Sequence, residues 1–458
     1  MKVKTKLILG FFIIYLLFGL AVFISVYEGS KSLEKTVSQD LLSMAGEISG
    51  HIDREINERV ESFKAYSKDT VLQQLVAESN TEFEKMGSIQ SYINQKDLEW
   101  ASAPKNDITP FMKELMDNQL SKELREKIKF YEKSFGYRLY GEIFVTNKYG
   151  ANAAQTGKTT DYRQDDEDWW QKAKADEIYT EDLKYDQSSD VYSTAIGIRV
   201  DDDNGNFIGI IKVVLNIEAV IKIISEAEAE KRYSTVEYTL VDGNGKIIFS
   251  TNKFEIFGPF EMFSEINEKN NFFLAKDPKT GADKLIVHAH SKGYRDFKSL
   301  GWIMIIEVGR DDILNPIRRL QLNILIFAIV LIMLAGVIGF YIYSSISTPL
   351  RKFEDAINTI AKGNLDARVD IKSKDEFFTL AKAFNSMTDQ LKSLKKVEKK
   401  QKMEKELEAL EASYKTGFIS EETYKKERGR LEENIIKAKT VDVELLAAEG
   451  FIKKGDEK

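Results

Sequence analysis

The chain has 458 residues, a length that accommodates two or more domains. Hydrophobic residues make up 43% and charged residues 30%, a balance of globular and helical parts rather than disorder. A net charge of −7 offers no concentrated basic surface for nucleic acid, and the absence of cysteine excludes disulfides, thiolate metal sites and cysteine nucleophiles.

The first element is apolar. Residues 7–27 are uncharged and mostly Leu, Ile, Phe and Val, enough to cross about 30 Å of hydrocarbon as a helix. Lys2, Lys4 and Lys6 precede this run, which predicts a cytoplasmic N-terminus. The competing reading is a cleaved signal peptide. The apolar run exceeds a usual signal core, and no small-x-small cleavage site follows it. A second such segment covers 320–343. Two spans place 28–319 outside and 344–458 inside, with both termini cytoplasmic, in a cell membrane. Arg318 and Arg319 run against the charge rule, Arg351 and Lys352 follow it, and the N-terminal lysines decide.

After the first span, apolar residues from Leu33 to Phe63 recur at helical spacing, which predicts one long helix over 28–84. The texture then changes to strands and turns. Residues 140–146 form a β-rich run, and 193–200 and 207–215 flank Asp201-Asp202-Asp203-Asn204-Gly205-Asn206, a hairpin signal. Runs 236–241 and 246–250 repeat the pattern around Asp242-Gly243-Asn244-Gly245, and 285–290 and 302–308 supply later strands. Two mixed α/β modules fit: a distal one over 85–230 and a proximal one over 231–312.

The run from Thr160-Asp161-Tyr162-Arg163-Gln164 to Asp168-Trp169-Trp170 resembles the double Cache domain of chemoreceptors and sensor kinases. So do the strand ending in Leu215-Asn216-Ile217 and the later Gly293-Tyr294 and Leu300-Gly301-Trp302. The resemblance implies a PAS-like α/β outer domain on a long helix, with a small extracellular ligand in the distal module. In amino-acid-binding members an aromatic box surrounds the ligand, an Arg takes its carboxylate and an Asp its amine. A zwitterion needs a guanidinium at one end, a carboxylate at the other and aromatic walls that exclude water.

Tyr162, Trp169, Trp170 and Tyr185 match the aromatic places by order and spacing. The pattern then departs. Glu167 stands where the family Arg would be, and Asn216 where the Asp would be. Arg163 is the candidate replacement for the guanidinium, and Asp186 or Asp190 for the carboxylate. An amine, an amino-acid-like compound or an organic acid therefore fits as ligand. Adjacent tryptophans also serve as packing, and core packing competes as a reading for both. Trp302 reads as core of the proximal module. His288 and His290 alternate on a strand, but no third ligand stands nearby, so no metal site is expected. The acidic turn at Asp201 lacks the glycine and distal Glu of a calcium loop and reads as a solvated hairpin.

Past the second span, Ile346, Leu350, Phe353, Ile357 and Ile360 form one heptad seam, and Leu380, Phe384, Met387, Leu391 and Leu394 another. Between them lie Gly363-Asn364-Leu365, Val369 and Asp375-Glu376. This order over 344–396 resembles a HAMP domain. Pro349 would mark its first helix, Gly363 the turn, Leu365 and Val369 the connector anchors, and Asp375-Glu376 the start of the second helix. Two helices cannot bury two seams alone, so a parallel homodimer is expected. The heptad loses phase over 395–402 and resumes at Met403. Gly417 and Ser420 then read as a helix stop and cap, so 407–431 is a helical hairpin resembling the SHOCT-type motif within a 397–458 coiled-coil tail.

All three histidines, His51, His288 and His290, fall outside by this topology, which removes a phosphoacceptor from the inner region. No Gly-rich nucleotide loop follows a strand, and no cofactor is called for. The expectation is a membrane sensor, not an enzyme, whose signal leaves through a separate cytoplasmic protein. The rival reading is a membrane organiser that binds a protein outside and oligomerises inside. An anchored hydrolase is poorly supported, since no nucleophile–histidine or metal set assembles.

Overall fold

In the computed structural model, which describes residues 3–448 other than 268, the first element is a helix of 64 residues, α1 (Val3–Tyr66). Its two ends belong to different units. Residues up to Leu20 group with those from Ile324 onward, and Ala21–Asn323 form the second unit.

In the second unit α1 buries Leu41, Ala45, Ile48, Ile52, Ile56 and Val60 along one stripe, as their spacing of three and four residues dictates. The helix expected over 28–84 is in fact two. The chain turns at Ser67 and Lys68, and Asp69 caps α2 (Thr70–Glu84) by accepting from the backbone N–H of Val71 at 2.9 Å and Leu72 at 3.2 Å. A cap that satisfies two orphan donors favours a new start over continuation. The break also lets Leu72 and Val76 join the core that α1 lines.

Helices α3 (Ile89–Ser102), α4 (Pro110–Asp117) and α5 (Gln119–Phe135) follow. The distal module then adds β1 (Tyr140–Asn147), β2 (Asn152–Gln155), α6 (Asp168–Asp176), β3 (Ile178–Thr180), β4 (Lys184–Asp186), β5 (Val191–Asp201) and β6 (Phe207–Asn216). Its sheet has the order β2-β1-β6-β5-β3, with β4 also paired to β5, and every pair is antiparallel. Helix α7 (Glu218–Ala229) leads to the proximal module: β7 (Glu237–Val241), β8 (Ile247–Ser250), β9 (Phe272–Lys276), β10 (Asp283–His290) and β11 (Ile303–Gly309), in the order β8-β7-β11-β10-β9.

Both expected hairpins form. Asp202 Oδ1 accepts from the N–H groups of Asn204 and Asn206 at 2.9 and 2.8 Å, and Gly205 takes a positive φ of 82°. Asp242 does the same for Asn244 and Lys246. Each carboxylate folds its own turn, which is why an Asp leads both.

One face of each sheet packs on α1. Ile143, Val145, Ile196 and Val213 from the distal sheet share a single core with Tyr238, Leu240, Val287 and Met304 from the proximal one. Trp302 is buried, and its indole N–H donates to Asp182 of the distal module at 2.7 Å. His288 and His290 share the face turned away from α1, with ring centroids 5.4 Å apart, and His288 Nε2 lies 3.0 Å from the Asn270 carbonyl.

In the other unit, α1 and α8 (Arg310–Ala361) each carry an 18-residue stretch of mean hydropathy 2.6 and 2.8 with none of it buried. Two such helices flanking the sheets suit a membrane protein. The Tyr15 hydroxyl donates to the Leu331 carbonyl at 3.4 Å, so the two apolar helices lie side by side. Helix α8 runs unbroken from the end of β11 through Pro349 to Ala361. Gly363 then takes φ 95° and the chain turns into an extended connector. Val369 and Ile371 are buried there against Phe353, Ala356 and Ala381. Asn385 clamps the connector: its Oδ1 accepts from Val369 N–H and its Nδ2 donates to Val369 C=O, both at 3.0 Å. Asp375 caps α9 (Glu376–Lys415), accepting from Phe377 N–H at 3.0 Å. Leu365 is half-buried, and Glu376 opens the helix, its charge favoured by the dipole. Helix α9 stays continuous through 395–402. It ends before Gly417, at φ 76°, and α10 (Glu421–Ala448) returns beside it, with Tyr414 stacked on Tyr424 at 4.2 Å.

Candidate functional site

The distal sheet has a second face, turned away from α1, and its residues set the chemistry. A register shift between Tyr140 and Ile143 puts Tyr140, Ile143 and Val145 toward α1 and leaves Glu142, Phe144 and Thr146 on the opposite side. Strand β6 contributes Ile210 and Lys212 to that side, and β5 contributes Gly197. Helix α6 covers it. A Cβ at Gly197 would stand 2.9 Å from the Ala173 Cβ and 3.3 Å from the Trp169 ring, so only glycine lets α6 lie this close.

Under α6, Trp169 meets Phe144 edge-on at 5.8 Å, and the Lys212 ammonium sits 4.4 Å from the Trp169 ring centroid. Lys212 is only 7% exposed, as is Glu142. Burial lowers the Lys212 pKa and neighbouring Lys184 adds to this, while Glu181, Glu142 and Asp186 oppose it. Burial pushes the Glu142 carboxyl up to about 7, with Asp186 adding and Lys212 opposing. On the edge strand, Gln155 lies opposite Phe144 and is fully buried, yet neither atom of its side-chain amide has a hydrogen-bond partner. Asn152 Oδ1 is likewise buried and unpartnered. Such groups cost about 1–3 kcal/mol each when left unmet, which makes this edge of the sheet the candidate site. A groove of about 200 Å³ opens beside this cluster, bounded by Glu142, Gly141, Thr156, Ser188 and Arg138.

The residues singled out from sequence fall into three groups. Trp169 and Asp186 join this cluster. Asp186 is nearly buried, which would raise its pKa, but donation from Ser188 and Ser189 more than offsets that and holds it below the usual carboxylate range. Trp170 lies on the same face as packing: its N–H donates to Thr146 Oγ1 at 2.9 Å and its ring meets Phe207. The remainder are engaged elsewhere. Tyr162 is buried with Trp100 and Phe111 in a separate core, and Asp97 accepts from its backbone N–H. Arg163 makes a two-pronged pair with Asp165 at 2.8 and 3.1 Å and donates to Asn94. Tyr185 is exposed and donates its hydroxyl to Asp190, which is itself exposed at φ 61°. Asn216 ends β6, donating to the Arg138 carbonyl and accepting from Glu218 N–H at the start of α7. Glu167 is exposed ahead of α6.

Glu142, Gln155 and Lys212 were not anticipated. Their signal was present: Lys212 is the one charge in Phe-Ile-Gly-Ile-Ile-Lys-Val-Val-Leu, and Glu142 the one charge in Tyr-Gly-Glu-Ile-Phe-Val-Thr. A lone charge inside a strand flanked by apolar residues on both parities has no solvent to face.

The raised Glu142 pKa has a testable consequence. A carboxyl whose folded pKa lies above its ordinary 4.5 contributes stability below 4.5 that is lost as pH rises toward about 7. The melting temperature should therefore fall over that window, and Glu142→Gln should flatten the decline. His288, lowered by burial, acts in the opposite sense, so the difference between the two proteins is the quantity to follow by thermal denaturation. Equal pH slopes in both proteins would contradict the assignment.

Comparison with known proteins places a Cache domain over residues 29–317 and a HAMP domain over 341–393. The methyl-accepting chemotaxis protein McpA of Pseudomonas putida is 24% identical over 196 residues, covering 41% of this chain and 29% of that protein. TlpB of Bacillus subtilis is 25% identical over 231 residues, covering 50% of this chain and 33% of that protein. The chain thus matches about a third or less of the length of these curated relatives. Among solved structures, the ligand-binding domain of the Pseudomonas fluorescens chemoreceptor CtaA with L-isoleucine is 12% identical, covers 62% of this chain and 97% of that one, and has a TM-score of 0.38. That of Campylobacter jejuni Tlp3 with L-valine is 14% identical, covers 62% and 97%, and has a TM-score of 0.36.

Proposed function

Because this chain belongs to the double Cache family and carries a HAMP domain homologous to that of methyl-accepting chemotaxis proteins, we propose that it is a transmembrane sensor whose distal module binds a compact zwitterion outside the cell. The observation that carries this reading is one sheet face holding a buried ammonium, a buried carboxyl and an unpartnered buried amide: Lys212, Glu142 and Gln155. Lys212 takes the ligand carboxylate, Glu142 with Asp186 takes the ammonium, and Gln155 and Asn152 supply the remaining hydrogen bonds. Trp169 and Phe144 wall the site. In a water-poor pocket, hydrogen bonds to charged groups are strong, about 1.5–3 kcal/mol each. Of these residues only Glu142 lines the adjoining groove of about 200 Å³, which it shares with Arg125, Arg138, Lys158 and Ser188, and that volume suits a small metabolite rather than a drug-sized one.

Binding shifts α1 and α8 slightly, and the HAMP helices change packing. Ile346, Leu350, Leu380 and Leu394 stay exposed in the single chain, between 40% and 65%, which supports a parallel homodimer that covers them. The tail hairpin, with Phe418 fully presented to solvent, passes the change to a separate cytoplasmic protein. Both termini lie in the cytoplasm, with two membrane spans.

The test is calorimetry on the full chain in lipid nanodiscs against the twenty L-amino acids, γ-aminobutyrate and short mono- and dicarboxylates. At least one zwitterion should bind with a Kd in the micromolar range. No heat from any zwitterion, with the protein folded, would refute the reading.

A further inference from the structure

The groove beside Glu142 carries more positive charge than a neutral zwitterion can use. Arg125, Lys129, Arg138 and Lys158 line it, and Glu142 is the one acidic group among its lining residues. Two of these cations are answered by carboxylates outside the groove: Lys129 pairs with Glu126 at 2.8 Å and Arg125 with Asp117 at 3.6 Å. Arg138 and Lys158 differ. Neither has a carboxylate partner among the described residues. Arg138 donates to the carbonyls of Gly141 and Ser189, the latter at 2.9 Å. Lys158 donates to those of Ala103 and Pro104 at 2.6 and 2.9 Å.

A carbonyl is a dipole without net charge. It fixes where a cation stands and leaves the charge uncancelled. Donor capacity remains as well. A guanidinium has five N–H groups, and Arg138 uses two of them on carbonyls. An ammonium has three, and Lys158 uses two. Both side chains are thus held in position with N–H groups left over.

The order of charge along the face sets what fits. Lys212 stands opposite Phe144 in the sheet, and Glu142 precedes Phe144 by two residues on the same side. Glu142 borders the groove and Lys212 does not. The protein therefore presents an ammonium, then a carboxyl, then a guanidinium with a second ammonium. The complementary ligand carries a carboxylate, an ammonium and a second anion, in that order. An α-amino acid holds the first two on one carbon, and a side-chain carboxylate two or three bonds away supplies the third.

We infer that the distal ligand is an α-amino dicarboxylate, aspartate- or glutamate-like, whose side-chain carboxylate enters the groove and is received by Arg138 and Lys158. This rests on the zwitterion reading proposed above and narrows it. The groove of about 200 Å³ holds a short acidic side chain. The corresponding amide is rejected on two grounds. Hydrogen bonds to an ionised acceptor are roughly twice as strong as neutral ones, and the amide sets its own NH₂ donors against those of Arg138 and Lys158.

The experiment is titration calorimetry of L-glutamate, L-glutamine, L-aspartate and L-asparagine into the full chain in nanodiscs at pH 7. One of the two acids should bind at least tenfold tighter than its own amide. Lys158→Met should shrink that acid-to-amide ratio at least fivefold and leave the amide's affinity unchanged. Arg138→Gln should shrink it too. Arg138 also ties the Gly141 and Ser189 backbone, so the ratio of two ligands on one sample is the readout, and a partial loss of folded protein does not move it. Lys212→Met removes the partner of the α-carboxylate and should weaken acid and amide alike. Amides that bind as tightly as their acids, or a ratio that survives both groove substitutions, overturn this inference and leave the zwitterion reading standing. Absence of heat from every amino acid overturns both.

Discussion

In the proposed distal site, Lys212→Met should weaken zwitterion binding by at least 100-fold while leaving the module folded. Lys212 is the one ammonium seated under Trp169, 4.4 Å from its ring centroid. Removing it leaves a ligand carboxylate in a buried place without a countercharge, a loss on the order of 3–5 kcal/mol. Stability should barely suffer. Methionine keeps the unbranched stem that packs on Trp169 and Phe144, and the desolvated ammonium it removes is itself a burden on the fold. Glu142 then holds its proton to a higher pH, since Lys212 is the cation that opposes burial there. Calorimetry and circular dichroism on the same sample separate the two effects. A Kd within threefold of the parent would show that another residue receives the carboxylate.

Asp53→Ala should destabilise the proximal module by about 3 kcal/mol. Asp53 is 3% exposed and accepts from the Ser291 hydroxyl at 2.6 Å and the N–H groups of Lys292 and Gly293 at 3.1 and 2.9 Å. One turn on, Asn57 accepts from Phe297 N–H at 3.2 Å. The loop between β10 and β11 is thus fastened to the helix through its backbone. Gly293 has no room for a side chain: at φ 74°, a Cβ would lie 2.5 Å from the Phe297 carbonyl. Alanine at 53 strands two backbone donors at once, whereas Asp53→Asn keeps an acceptor and should lose less than half as much. Urea denaturation measures the difference, and faster proteolysis within 291–300 gives an independent readout. Equal stability of Asp53→Ala and the parent would show that water replaces the carboxylate at no cost.

Much of the architecture was legible because its signals are local. An Asp two residues before Asn and Gly writes a turn into the backbone whatever surrounds it, and both such hairpins formed. The apolar spans, the stripe on α1 and the order of Gly363, Val369 and Asp375 are periodic or positional. The short strands β2, β3 and β4 were not foreseen, since three or four residues carry too little pattern to declare a partner. The helix break at Asp69 was missed because the apolar spacing continues across it, and only the cap marks the stop. The candidate site was harder still. Resemblance directs attention to the loop before α6, where Arg163 and Tyr162 find partners among nearby residues such as Asp165 and Asp97. The charged residues of the proposed site stand on strands, separated by 70 positions between Glu142 and Lys212, and only the sheet brings them onto one face.

The core shared by α1 and both sheets has a mechanical consequence. Ile143 and Val213 of one sheet and Leu240 and Met304 of the other rest on the same rigid rod. A rod with two bearings cannot tilt at one without loading the other. A change in how the helix seats against one sheet therefore alters its seating against the other, where a flexible tether between independent modules would leave the second untouched.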